Sequence, residues 1–378
     1  MLKIKPVLII AAFMLATLLN PAMGQDLENS KFFQAVWGKT SFYNNEEDDV
    51  YLKFVGRYHG QAWKVDADQG SADGYENRRQ IMGFQANVHS QWKFAVQMYI
   101  GDSGDPFYDG MYELMLGWKS KDQNTDIVIG RLDYLFTGLE RSTSSKKIST
   151  LERSMLANQL MPGEAVGVHF NHKAAGYSYH LGIFAGDIDD EFSEFSSGHA
   201  ISTGFSVEVP LLFEKGTVYV DYLFNNGFAA NNAFAPYEHI LTTYYKTSTG
   251  NASLDLSLSW ADGVGDVSDV QGATILFNYD LKKHLLLDTD LLQLNFRFHL
   301  ASGDNAYALS GQRRYEHEIE PVLTGKNYKS LYAGASYKLY SNYLKIMAGA
   351  EWAKLGKSPT GGNAYKGVTY SLAIRTYW

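Results

Sequence analysis

From residue 50 onward the chain alternates apolar and polar positions with a period of two. In 253–260, Leu254, Leu256, Leu258 and Trp260 alternate with Ser253, Asp255, Ser257 and Ser259. In 291–300, Leu292, Leu294, Phe296, Phe298 and Leu300 alternate with Gln293, Asn295, Arg297 and His299. Such spacing gives strands with one apolar and one polar face. Helical spacing is not sustained anywhere after residue 24. The pattern predicts strands over 50–60, 78–90, 92–100, 111–120, 125–132, 165–171, 177–186, 200–209, 217–224, 239–247, 252–261, 270–279, 291–300, 328–339, 344–353 and 368–378. Long connections (61–77, 101–110, 133–164, 187–199, 225–238, 262–269, 301–327 and 354–367) alternate with tight ones such as 90–91, 172–176, 248–251 and 340–342. The segment 281–290 is longer than a turn should be. Transmembrane barrels show this asymmetry, with short turns on one side and long loops on the other.

Which residues sit on which face decides between barrel types. The apolar rows carry large side chains, and the opposite rows are polar, charged or glycine, the inverse of a soluble barrel. In 368–378, Tyr370, Leu372, Ile374, Thr376 and Trp378 form one row, and Thr369, Ser371, Ala373, Arg375 and Tyr377 the other. A soluble sandwich rarely needs so many regular strands, and a plugged 22-stranded transporter would need more chain. The expected fold is an all-β, 16-stranded antiparallel transmembrane β-barrel over 50–378. Residues 25–49 are expected to be an N-terminal periplasmic segment or a short extra strand; the alternatives stay open for 31–43.

Composition narrows the classes further. The 378 residues include no Cys, which excludes disulfide frameworks and thiolate metal sites. With 33 Lys+Arg against 41 Asp+Glu, a net charge of -8, a broadly basic nucleic-acid binder is excluded. The 26 Tyr, 21 Phe and 7 Trp call for burial or a membrane interface. Lys3 and Lys5 precede an apolar stretch over 7–19, then Ala22-Met23-Gly24. This reads as a signal peptide over 1–24, too short in its apolar part to span a bilayer. Removing it takes the formal charge from -8 to about -10.

The longest connection, 133–164, follows the fifth strand. It contains Thr143-Ser144-Ser145-Lys146-Lys147-Ile148, then Leu151-Glu152-Arg153-Ser154, Pro162-Gly163 and Gly167-Val168. Together with Arg78-Arg79 opening the second strand, and Gly130 with Phe136 entering the loop, this resembles the phosphate-selective porins O and P. The resemblance is sharpest over 78–186. It implies a Gram-negative outer-membrane homotrimer whose third loop folds into the pore. It also implies basic residues that pass and bind phosphate or polyphosphate. The matching loop positions are Arg141, Lys146, Lys147 and Arg153. Asp133 and Leu135 stand where the family carries Lys and Pro, and an acid at a constriction weakens an anion site by repulsion. The C-terminal Trp378 implies recognition by the barrel-assembly machinery, and the outer surface implies contact with lipid and lipopolysaccharide.

Strand parity gives an independent reading of the lumen. The inward rows hold Lys53, Arg57, Arg79, Lys93, Lys119, Lys246, Arg297, Lys338, Lys345 and Arg375. Their acids are Glu113, Glu208, Asp221, Asp255, Asp280 and Glu351. A mildly basic lumen in an acidic chain concentrates anions at a constriction. The competing reading is that these cations pair with facing acids and hold loop to wall. For Arg153, beside Glu152, that structural role is favoured; for Lys146 and Lys147, exposure to the pore. His169 and His172 flank Phe170-Asn171, but one alternates inward and the other sits in a turn, so a shared metal is not expected. The acidic run 187–194 lacks the spacing of a twelve-residue calcium loop and reads as an external loop, solvated or bridging to lipopolysaccharide. Trp92, Trp118, Trp260, Trp352 and Trp378 fit interfacial girdles.

The expected function is therefore passive diffusion of small hydrophilic solutes, anions such as phosphate or polyphosphate foremost. No enzyme activity, metal or cofactor is expected, since no hydrolytic trio falls on the outward rows and no nucleophile elbow or phosphate loop occurs. The alternatives are a porin without phosphate preference and, in a different class, a surface receptor or adhesin.

Overall fold

The computed structural model describes residues 37–38, 40–45, 47, 49–102, 106–133, 138–160, 163–185, 191–192, 198–226, 237–283, 285, 287, 290–310, 314–320, 323–356 and 362–378. The signal peptide over 1–24, Leu135, Phe136, Pro162 and every acid of the 187–194 run except Glu191 lie outside these residues.

Sixteen strands form the wall: β1 (Val50–Ala67), β2 (Gly70–Val88), β3 (Trp92–Tyr99), β4 (Met111–Lys119), β5 (Thr125–Leu132), β6 (Ala165–Ala174), β7 (Tyr177–Ala185), β8 (His199–Glu208), β9 (Lys215–Asn225), β10 (Tyr237–Thr249), β11 (Ala252–Gly263), β12 (Val270–Lys283), β13 (Leu291–Gly303), β14 (Asn327–Tyr340), β15 (Leu344–Gly356) and β16 (Tyr365–Tyr377). Each pairs antiparallel with the next. The cylinder closes where β16 pairs with β1, from Gly367 opposite Ala67 to Tyr377 opposite Arg57. Closure satisfies every strand edge, which a hydrocarbon environment requires. A seventeenth strand, Ser41–Asn45, pairs beside the start of β1, with Asn45 opposite Val50.

The period-two rows sort as the wall demands. Phe84, Leu116, Ile129, Leu181, Phe205, Leu258, Phe296, Leu331 and Leu372 are exposed on the outer surface. Trp92 opposes Trp118 at the short-turn end, and the exposed Trp260 and Trp352 stand at the long-loop end. These tryptophans occupy girdle positions.

One predicted loop is absent. The expected long connection 61–77 is instead the continuation of β1 and β2, joined through Asp68 and Gln69 alone. The alternation continues there with its sense reversed: Lys64 and Asp66 face outward and are exposed, while Val65 is fully buried. This hairpin stands beyond the apolar belt, so its outward side is polar. Its inner side packs on the loop following β13, where Trp63 stacks on Tyr315 at 4.6 Å and 11°. The same loop sends Leu309 and Leu323 into a lumenal apolar cluster with Met155, Leu156 and Leu160 of the third loop and with Val65, Tyr328 and Leu355 of the wall. The core of this barrel thus lies inside the lumen at the long-loop end.

Candidate functional site

The third loop, 133–164, turns inward at Gly138. Its φ of 96° suits glycine, and a Cβ there would lie 2.6 Å from Cγ2 of Thr242 on β10. Gly130, on β5, has φ 136° and sits against the backbone of Leu114. After Gly138 the loop forms the single turn α1 (Leu139–Ser142), crosses the lumen in extended and turn conformations, and forms α2 (Met155–Gln159) before β6.

What pins this loop is mostly cationic. Lys345 on β15 donates from Nζ to the carbonyls of Lys146 (3.0 Å) and Ile148 (2.8 Å). Arg375 on β16 donates to the carbonyl of Leu151, whose side chain packs on Tyr332, Met347 and Ala373. Arg297 on β13, with no exposed side-chain surface, bonds to Glu140 of the loop at 2.6 Å and to Glu351 of β15 at 3.0 Å, and donates to the carbonyl of Glu152. Arg153 does not turn to its neighbour Glu152. It donates instead to the carbonyls of Glu140 (2.8 Å) and Thr143 (3.0 Å), clamping the loop on itself. Glu152 receives both ends of Arg78, at 2.6 and 2.5 Å. Burial alone would raise the Glu152 carboxyl. The Arg78 guanidinium overrides that and holds it down at about 2.

Arg78 and Arg79 both point into the lumen although they are consecutive. The register explains it: His59 opposes Arg79 and Gly60 opposes Asn77, leaving Arg78 as the extra residue of a bulge. A second bulge in β4 leaves Tyr112 unmatched between Met111 and Glu113 and turns it inward. Strand parity cannot see either. The sequence signal was two adjacent arginines in an otherwise alternating strand.

The loop is tied to β13 to β16 and also to Arg57 and Gln61 of β1, Arg78 of β2 and Lys246 of β10, and two polar cavities remain along β1 to β10. A cavity of about 200 Å³ is lined by Arg57, Arg79, Arg141, Arg153, Tyr112 and Ser145, among others. Glu113, Asp133 and Glu164 also line it. A second cavity of about 350 Å³, sharing Ser142, runs past Asn171, His180, Ser206 and Asp221. In the first, Arg57 donates to Ser145 Oγ at 2.9 Å and lies over the Tyr112 ring at 4.5 Å. Arg141 pairs with Asp133 at 3.3 Å. Glu164 accepts from Tyr99 and Glu113 from Gln97. Arg79 has no carboxylate within 4.0 Å among the described residues.

The remaining sequence candidates fall elsewhere. Lys146 lies over the Tyr343 ring at 3.1 Å, while Lys147 is exposed. Partial burial, with Lys53 and Lys147 nearby, pushes the Lys146 ammonium down to about 8. Lys53 and Lys93, both partly buried, lie toward the short-turn end. Lys246 reaches Thr143 Oγ1 at 3.1 Å. His169 faces His180 at 5.4 Å between ring centroids, whereas His172 bonds Thr125 at 2.8 Å. Among the described residues no group of three carboxylates or imidazoles gathers as a metal site.

A distinction emerges within the lumen. Arg297 and Arg78 spend their charge on carboxylates. Arg57, Arg153, Lys246, Lys345 and Arg375 are bonded to hydroxyls or carbonyls, which are neutral acceptors.

Residues 50–234 match the family described as phosphate-selective porin O and P. No curated protein matches. Among solved structures the barrel is similar to OprB of Pseudomonas putida, at 11% identity over 86% of this chain and 94% of that one, with a TM-score of 0.57. It is also similar to OmpF of Salmonella typhi, at 12% identity over 89% and 100%, TM-score 0.58. A third is OmpT of Vibrio cholerae in its trimer form, at 13% identity over 87% and 99%, TM-score 0.55. At these identities the solved structures speak for the fold.

Proposed function

The chain is an outer-membrane porin of a Gram-negative bacterium, a diffusion channel matched over 50–234 by the phosphate-selective porin O and P family, and on that premise we propose that it favours small anions of the phosphate class. The observation that carries the reading is Arg79. It faces the 200 Å³ cavity with Arg57 and Arg153 beside it and no carboxylate of its own within 4.0 Å among the described residues. Serine hydroxyls at Ser144 and Ser145 line the same space and supply donors to an anion that sheds water there. Arg141 and Lys147 extend the positive strip along the loop. Lys53, Lys93 and Lys146 continue it toward the short-turn end. Lys345, Arg375 and Arg297 act on passage by fixing the loop rather than by touching the solute.

The test is the reversal potential of the purified channel in a planar bilayer under a salt gradient. An anion-selective reversal potential, reduced severalfold in permeability ratio by Arg79→Gln, is expected. A strongly cation-selective channel, or an unchanged ratio in R79Q, would sink the reading. The acids Asp133, Glu113 and Glu164 in the same cavity favour a second reading, a porin with little preference among small solutes; equal phosphate and chloride permeability would select it. We further propose a homotrimer, supported by the family resemblance and testable by native mass spectrometry. Delivery to the barrel-assembly machinery through Trp378 belongs to the same proposal; Trp378→Ala is expected to lower assembled protein.

A further inference from the structure

Three lysines stand side by side on the outer face of the wall. Lys329 of β14 lies directly opposite Lys354 of β15, and Lys354 directly opposite Lys366 of β16. All three are exposed, and none has an ion-pair partner within 4.0 Å among the described residues. Opposed side chains in a sheet are about 5 Å apart, and like charges there repel. The row spans three neighbouring strands at the long-loop end, just where the apolar belt stops. The next outward residues toward the short-turn end, in the same registers, are Leu331, Trp352 and Val368. Leu331 in turn lies opposite Phe298 of β13. The lysines and this apolar row line one groove of about 600 Å³ on the outside of the barrel. Asp66 and Asp68 close the groove on the β1 side, beside Val368 and Lys366.

A polar edge this costly, set one step from an apolar shelf, fits an amphiphile whose headgroup carries more than one negative charge. We propose that the groove binds an anionic lipid of the outer leaflet, a phosphorylated glycolipid of the lipid A type. Its phosphates lie on Lys329, Lys354 and Lys366, and its acyl chains run over Leu331, Trp352 and Val368. The repulsion within the row is relieved when phosphates sit between the ammonium groups. This site is separate from the pore, and its failure would leave the anion-channel reading untouched.

The test measures retention of diphosphoryl lipid A by the purified protein in detergent, using native mass spectrometry. The wild type is compared with Lys354→Gln and with the triple variant K329Q/K354Q/K366Q. A lysine near an anionic lipid surface contributes about fivefold, so roughly fivefold weaker retention is expected for K354Q. For the triple variant the expected loss is on the order of a hundredfold. Heat-modifiable gel migration and single-channel conductance report folding and should not change. Phosphatidylethanolamine, which carries no net charge, should bind wild type and variants alike. Equal lipid A retention by all three proteins would overturn the proposal. Displacement of lipid A by millimolar inorganic phosphate would also overturn it, since that describes a site for the free ion.

Discussion

At the scale of single residues, pH is expected to reach the pore through Lys146. Its ammonium is held down to about 8 by burial and by Lys53 and Lys147, so its charge is complete near pH 6 and lost as pH rises past 8. Anion-to-cation permeability should therefore fall between pH 7 and 9, and Lys146→Arg should flatten that fall because a guanidinium keeps its proton. A ratio constant across this window in the wild type would show that Lys146 does not see the permeating ion. Glu152 works with the opposite sign. Its carboxyl is depressed from 4.5 to about 2, so its stabilising effect is full above 4.5 and drains away as pH falls toward 2. The urea midpoint should drop across that range in the wild type and drop less in Glu152→Gln. At Arg297, two buried carboxylates share one guanidinium. Arg297→Gln takes the guanidinium away from both Glu140 and Glu351, a loss of about 3–5 kcal/mol in docking the loop, seen as larger and noisier single-channel currents.

At the scale of elements, the third loop depends on how it leaves β5. Gly138→Val combines a positive φ with a side chain driven into Thr242, and is expected to lift α1 from the wall and raise conductance; unchanged currents would mean the loop tolerates another route inward. Much of this architecture was legible in the sequence. All sixteen strands follow from period two because each buries one face in lipid and wets the other, and the long loop after strand five stood out by length. Three things are hidden. The top of the β1–β2 hairpin, with Val65 inside and Lys64 outside, was read as loop because above the apolar belt the faces exchange roles. The inward aim of Arg78 and Tyr112 was hidden because a bulge adds one residue and breaks parity. The carbonyl partners of Arg153, Lys345 and Arg375 carry no sequence signature at all, since a backbone acceptor is the same in every residue.

At the scale of the whole molecule, the lumen is divided by chemistry. Apolar residues of the third loop and of the loop after β13 fill the long-loop end of the lumen, packing on wall strands from β1 round to β16, while polar cavities lie along β1 to β10. Leu156→Asp or Leu309→Asp is expected to unpack that filling and to raise conductance, with selectivity weakened together with size. A conductance equal to wild type would assign the barrier to the arginine strip alone. The division also accounts for the overall charge of -8: it describes surface and loops, while the lumenal cations keep a separate balance. Closure of the cylinder has a consequence in time. The pairing of Gly367–Tyr377 with Arg57–Ala67 joins strands some three hundred residues apart, so β1 is made first and waits longest for its partner. Until β16 arrives the sheet has two adhesive edges, which any nascent intermediate must keep covered. A chain lacking β16 would accordingly yield an aggregating sheet, never a narrower pore.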